Sequence, residues 1–154
     1  MDQTPTPTVP AVVPSMSTGP FELLSGRILV VEDDLLNQNL ICRMLEKHGL
    51  KGSVAADGAD AVDRVEREHW DLILMDCLLP GMDGFEATRL IRAGKEGRRI
   101  PIVALTASSE TEVRVACTKA GMDDFLAKPV RRAELHACLK KWLGAGRGRT
   151  PAQA

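Results

Sequence analysis

Through the middle of this chain, short and almost unbroken apolar runs alternate with longer stretches in which apolar residues recur every third or fourth position. The first kind reads as strands buried on both faces, the second as amphipathic helices. A strand over residues 27–31 ends at Glu32-Asp33-Asp34. A helical pattern follows with Leu36, Leu40, Ile41, Met44 and Leu45 on one face, closing at His48-Gly49. Residues 52–56 form a weak second strand, and Asp57-Gly58 turns into a helix over 59 to about 68 with Ala61, Val62 and Val65 inward. The third strand covers 71–75, and a helix over 84–93 carries Phe85, Leu90 and Ile91 as its apolar face. A polar loop over 94–99 leads to a fourth strand over 100–105, where Pro101 is tolerable at a strand start. A fourth helix over 110–120 stops at Gly121, a short strand over 124–127 follows, and Lys128-Pro129 makes a turn. The last helix, 133–143, points Leu135, Cys138, Leu139, Trp142 and Leu143 inward.

Five strand–helix units in succession predict an α/β fold, a doubly wound, five-stranded parallel sheet with five helices on its two faces. The expected strand order is 2-1-3-4-5, which puts the switch point between the first and third strands, at their carboxyl ends. The run Leu72-Ile73-Leu74-Met75 delivers Asp76 to that edge, and Pro80, Gly81 and Gly84 then force the chain to turn. An Asp there also serves as a turn or capping residue, so its neighbours must decide.

Composition narrows the class without naming it. The 154 residues carry 20 basic and 21 acidic side chains, a balance that does not advertise nucleic acid or an anionic membrane. No apolar run approaches a membrane span. Two Trp, three Phe and no Tyr disfavour a base-stacking surface. Cys42, Cys77, Cys117 and Cys138 form no Cys-x-x-Cys pair, which fits a reducing, cytoplasmic setting and small core residues. Residues 1–26 hold five of the nine prolines and read as a disordered tail; 27–143 is the folded domain; 144–154, Gly- and Arg-containing, is a flexible C-terminal tail.

The topology brings Glu32 and Asp33, Asp76, Thr106 and Lys128 to one crevice. Clustered carboxylates raise one another's pKa unless a cation neutralises them, and an oxygen-only set suits Mg2+. Lys128 and Thr106 suit phosphoryl oxygens, and a carboxylate can act as nucleophile to give an aspartyl phosphate. Phosphoryl transfer asks mainly for positioning and charge neutralisation.

The segments Val30-Val31-Glu32-Asp33-Asp34, Leu74-Met75-Asp76 with Leu79-Pro80-Gly81-Met82-Asp83-Gly84, Ala104-Leu105-Thr106-Ala107 and Gly121-Met122-Asp123-Asp124-Phe125-Leu126-Ala127-Lys128-Pro129 resemble the receiver domain of two-component response regulators. The resemblance runs from about 27 to 143 and implies a flavodoxin-like fold. Receivers themselves exemplify the 2-1-3-4-5 order, so topology and resemblance are not independent expectations. The resemblance implies Asp76 as phosphoacceptor, and Asp33, Asp76 and the Leu78 main-chain carbonyl as Mg2+ ligands, with Glu32 acting through water. It implies Lys128 on the phosphoryl group, Thr106 closing on it, and Phe125 as the ring that swings inward when the Thr moves. Its partners would be a histidine kinase or histidine phosphotransfer protein and an unknown downstream protein, with no nucleic acid and no membrane.

The alternatives are plain. Glu32, Asp33 and Asp34 also read as a helix N-terminal acid cluster, which is the better reading of Asp34. Asp83 reads as turn chemistry, Lys128 as a turn residue and Phe125 as core. Leu78 stands where receivers usually carry a polar side chain, which predicts slow self-dephosphorylation. With no output domain after Leu143, a single-domain receiver that signals or relays through protein contacts is expected. A detached receiver of a hybrid histidine kinase, whose receivers Asn37-Gln38 most resemble, or a phosphorylation-independent binding receiver would be the alternatives. An aspartate-nucleophile phosphatase of the haloacid dehalogenase type would need a second Asp at Leu78.

Overall fold

The computed structural model describes residues 23–95, 99–108 and 110–144. The expected tails lie almost wholly outside them, as does part of the polar loop after the third helix. Five strands, β1 (Arg27–Val31), β2 (Lys51–Ala55), β3 (Leu72–Asp76), β4 (Ile102–Thr106) and β5 (Asp124–Ala127), alternate with five helices. These are α1 (Leu35–Lys47), α2 (Gly58–Arg67), α3 (Gly84–Ala93), α4 (Thr111–Ala120) and α5 (Arg132–Leu139), the last continued by one wider turn, Lys140–Gly144. All pairings are parallel and the order is β2-β1-β3-β4-β5. The expected fold is therefore the observed one.

The continuous apolar strands divide residue by residue between two layers. Ile28, Val30, Leu72, Leu74, Val103 and Leu105 pack with Ile41 and Leu45 of α1 and with Leu135 and Leu139 of α5. Leu29, Val31, Ile73, Met75, Ile102 and Ala104 pack with Ala61 and Val65 of α2, Ala87 and Ile91 of α3, and Cys117 of α4. A one-residue slip would exchange these sets, and each fully buried aliphatic side chain is worth about 1.5–3 kcal/mol, so register is fixed.

Two helix faces differ from expectation. Leu36 and Leu40 of α1 are exposed, while Ile41 and Leu45 are fully buried. At 3.6 residues per turn, Leu40 and Leu36 sit about 100° and 140° around the helix from Ile41, beyond the narrow stripe that touches the sheet. Leu90 of α3 is turned out beside buried Ile91 for the same reason, and small Ala87 and Thr88 take the inner positions instead. Leu24, expected in the tail, donates its N–H to the His48 carbonyl at 2.7 Å and packs on the α1–α5 layer. An apolar residue placed just before a strand can cover the helix that follows it.

Three helices start on an Asp whose carboxylate accepts from the N–H three residues on: Asp34 from Asn37, Asp57 from Asp60 and Asp83 from Glu86. Asp34 and Asp83 thus stand at helix N-termini, as N-caps outside the metal-ligand set. No helix among the described residues is long and apolar enough to cross a membrane.

Candidate functional site

The carboxyl ends of β1, β3, β4 and β5 open into one cleft of roughly 470 Å³, lined among others by Glu32, Asp33, Asp76, Leu78, Phe85, Thr106, Val113 and Lys128. Carboxylate oxygens of Glu32, Asp33 and Asp76 lie within 4.8 Å of one another. Glu32 and Asp76 are buried, 1% and 4% exposed, and Asp33 is exposed. Lys128 Nζ sits 3.1 Å from Glu32 Oε1 and 3.0 Å from Asp76 Oδ2, one ammonium between two buried carboxylates. The Lys128–Pro129 peptide is cis.

The turn after β3 explains how Asp76 can be both buried and reachable. Leu78 N–H donates to Asp76 Oδ1 at 3.1 Å, and Gly84 N–H to the Cys77 carbonyl at 3.0 Å, so the loop folds back on the carboxylate. Gly81 adopts φ +75, a left-handed conformation that favours glycine. A Cβ on Gly84 would fall onto the Asp76 carbonyl oxygen, so only glycine lets α3 begin this close to the site.

Charges are in surplus here. Burial pushes the Glu32 carboxyl above its usual range and nearby Asp76 adds to this, outweighing the Asp34 N–H and Lys128, which favour its ionised form. Burial alone would lower the Lys128 ammonium, but Asp76 and Glu32 together raise it and keep it charged. A hard, oxygen-preferring divalent cation fits such a donor set: the carboxylates are close enough to share one ion and gain from its charge.

Thr106 is 5% exposed, and its hydroxyl is engaged locally, donating to the Ser108 carbonyl at 2.9 Å and accepting from the Ser108 N–H at 3.1 Å. Phe125, on β5, is half-buried with the Arg114 guanidinium of α4 4.3 Å from its ring centre. Leu78 is 73% exposed at the cleft mouth. The structure thus gathers Glu32, Asp33, Asp76, Leu78, Thr106 and Lys128 at one edge, with Phe125 outside the cleft lining. It adds Asn37, Phe85 and Val113 to the cleft, and Ser108 as the partner of Thr106. The sequence marks Asn37 only through its resemblance to hybrid-kinase receivers and Phe85 only as an apolar helix position, and it assigns none of the four to the cleft. Cys77 and Cys117 face each other at 4.0 Å, and burial raises both thiols, which leaves them protonated core residues.

The family model for the response regulator receiver domain matches residues 28–140. In structure, the chain is similar to the receiver domain of a sensor histidine kinase from Pseudomonas aeruginosa with a magnesium ion coordinated in its active-site cleft. That pair shares 50% identity over 78% of this chain and 98% of the other, with a TM-score of 0.73. It is also similar to the receiver domain of the response regulator Ssk1 of Saccharomyces cerevisiae, co-crystallised with the histidine phosphotransfer protein Ypd1: 30% identity, 81% of this chain, 92% of the other, TM-score 0.74. The sensor protein GacS of Pseudomonas syringae is 38% identical over 128 residues, which span 81% of this chain but only 14% of GacS.

Proposed function

The chain belongs to the response regulator receiver family of two-component signalling, and on that premise we propose that it is a phosphorelay module whose Asp76 accepts a phosphoryl group from a phosphohistidine. The donor is a histidine kinase or a histidine phosphotransfer protein, a reading supported by the Ypd1 complex of a similar receiver. The observation that carries it is the grouping of Asp76 with Glu32, Asp33 and Lys128 at the switch point of the sheet.

Each residue has a task that its placement supports. An Asp76 carboxylate oxygen attacks phosphorus; a P–O bond forms as the P–N bond to histidine breaks, and the imidazole leaves. Lys128 follows the charge onto the phosphoryl oxygens, already held charged by its two acids. Thr106 releases Ser108 to donate its hydroxyl to the same oxygens. Phe125 follows Thr106 and couples the cleft to the α4–β5 surface, a shift between two packings that phosphorylation favours on one side. Asp33, Asp76 and the Leu78 carbonyl would hold Mg2+, with Glu32 assisting through water. The ion, when bound, supplies neutralisation of the crowded acids and of the incoming phosphoryl charge.

Leu78 at the cleft mouth and Leu35, Leu36 and Leu40 on α1, the helix that starts beside the acids, are exposed apolar residues that suit an apolar helical partner. Leu78 offers no polar group to position an attacking water, so the phosphoryl group should persist for minutes or longer. The module transfers only its own phosphoryl group and is not otherwise an enzyme. It signals by protein contact rather than through nucleic acid or membrane, in a cytoplasmic setting. A free-standing receiver and one carried on a hybrid kinase would both act in this way.

The test is intact mass after incubation with Mg2+ and acetyl phosphate, on the natural protein and on Asp76→Asn. Gain of one phosphoryl group that requires both Mg2+ and Asp76 is expected. Modification that survives Asp76→Asn would sink the assignment.

A further inference from the structure

Strand pairing stops where the acids begin. The Glu32 N–H still reaches the Ala55 carbonyl at 3.1 Å, but β1 ends at Val31 and the Glu32 carbonyl lies beyond the ladder. That carbonyl accepts from Gln38 Nε2 at 2.7 Å, shorter than the other side-chain hydrogen bonds of this loop, which are Asp34 N–H to Glu32 Oε2 at 3.2 Å and Asn37 N–H to Asp34 Oδ2 at 2.9 Å. Gln38 is itself fixed by its N–H bond to the Asp34 carbonyl at 2.9 Å. The peptide unit between Glu32 and Asp33 is planar, so holding its oxygen sets the direction in which both Cα atoms project their carboxylates.

We propose that Gln38 is the positioning residue of the acid pair: by clamping the Glu32 carbonyl it presents Glu32 and Asp33 for a divalent cation. This rests on the functional reading above. Gln38 is half-buried and does not line the cleft, so it touches neither the ion nor the phosphoryl group and acts only through the main chain. Its side chain is neutral, so it adds a donor without charge to a loop already crowded with acids. Asn37, its neighbour, does line the cleft, which separates the two residues of a pair that the sequence presents together.

The experiment is calorimetric titration of Mg2+ into the full chain, with the metal-free melting temperature measured alongside. The informative variant is Gln38→Met, which keeps the length and volume but has no donor. The control is Asn39→Ala, an exposed neighbour on the same helix. The expected result is Mg2+ binding about tenfold weaker in Gln38→Met, within the range typical of partners that orient a metal ligand. The metal-free melting temperature should stay close to that of Asn39→Ala. Combined with Asp33→Asn, Gln38→Met should cost little more, because the direct ligand of the pair it positions is gone and Glu32 acts only through water. Gln38→Ala serves under the same criterion if the methionine fails to fold.

Mg2+ affinity within twofold of the natural protein would overturn the proposal. So would a lower melting temperature with unchanged affinity, which is the signature of a purely structural bond. If the natural chain itself binds no Mg2+, the functional reading falls and the proposal with it.

Discussion

The two edges of this sheet use charged residues in opposite ways. At the amino edge Arg27 donates from its N–H to Asp71 at 2.7 Å, from Nη1 to the His69 carbonyl at 3.0 Å and from Nη2 to Glu68 at 2.9 Å, while its guanidinium lies 4.4 Å from the Trp70 ring centre. Arg27 there meets opposite charges, a carbonyl and an aromatic face, near solvent. At the carboxyl edge three carboxylates crowd within 4.8 Å and two of them, both buried, share one ammonium. The first arrangement holds the fold together. The second holds charge ready for a partner that brings positive charge or needs a nucleophile, and its unbalanced burial is what a fold selected for stability alone would avoid.

The sharpest way to break that contrast is to crowd the functional edge. Gly84→Ala should cost about 3 kcal/mol or more, because the new methyl has to displace the Asp76 main chain. Gly94→Ala, whose Cβ would meet only the Ile91 carbonyl oxygen at 3.6 Å, should stay within about 0.5 kcal/mol. Urea unfolding of the two variants checks this, and equal losses would refute it.

Next in size is Lys128→Ala. Removing the one cation between Glu32 and Asp76 leaves two buried like charges, and about 1–3 kcal/mol of stability should be lost in metal-free buffer, tempered by the partial exposure of Lys128. Mg2+ should restore more stability to this variant than to the natural protein. A melting temperature in Lys128→Ala that ignores Mg2+ would show that the acids are not in electrostatic debt.

These sites differed in how far the amino-acid sequence exposed them. The strands were legible because a run such as Leu72-Ile73-Leu74-Met75 has no polar position, which only burial on both faces explains. Asp76, Thr106 and Lys128 were legible as neighbours because strand order alone carries strand ends to one edge. Leu36 and Leu40 were misplaced because helical spacing shows that a stripe exists but not how wide a stripe the sheet covers. The bonds of Gln38 to the Glu32 carbonyl and of Ser108 to Thr106 were not legible, although Asn37-Gln38 stood out as a pair. Side-chain bonds to main chain depend on a loop's path, which residue types alone do not give.

The pH dependence of the metal-free protein sharpens the comparison further. The folded pKa of Glu32 lies above its ordinary 4.5, so the folded state holds more protons there than the unfolded chain. Stability from this group is present below 4.5 and is lost as pH rises through the folded pKa. Lys128 is also raised, but its contribution is complete at neutral pH and is lost only as pH climbs beyond 10.5. Thermal melts in the weakly acidic range should therefore show an unfavourable slope with rising pH that Glu32→Gln removes, with the variant melting higher at neutral pH. A slope unchanged by Glu32→Gln would assign it to other groups.

The smallest effect belongs to the balanced edge. Arg27→Lys keeps the charge and the main-chain bond to Asp71 but gives up the planar fork that reaches Glu68 and the His69 carbonyl together while covering Trp70. The Arg27–Glu68 pair is solvent-exposed, so the loss should be about 0.5–1 kcal/mol. Part of it should vanish at high salt, and Mg2+ affinity should not change, because nothing in this network touches the cleft. The check is urea unfolding at low and high salt beside an Mg2+ titration. A change in Mg2+ affinity would mean that the two edges are coupled through the sheet, and the division of labour drawn above would have to be abandoned.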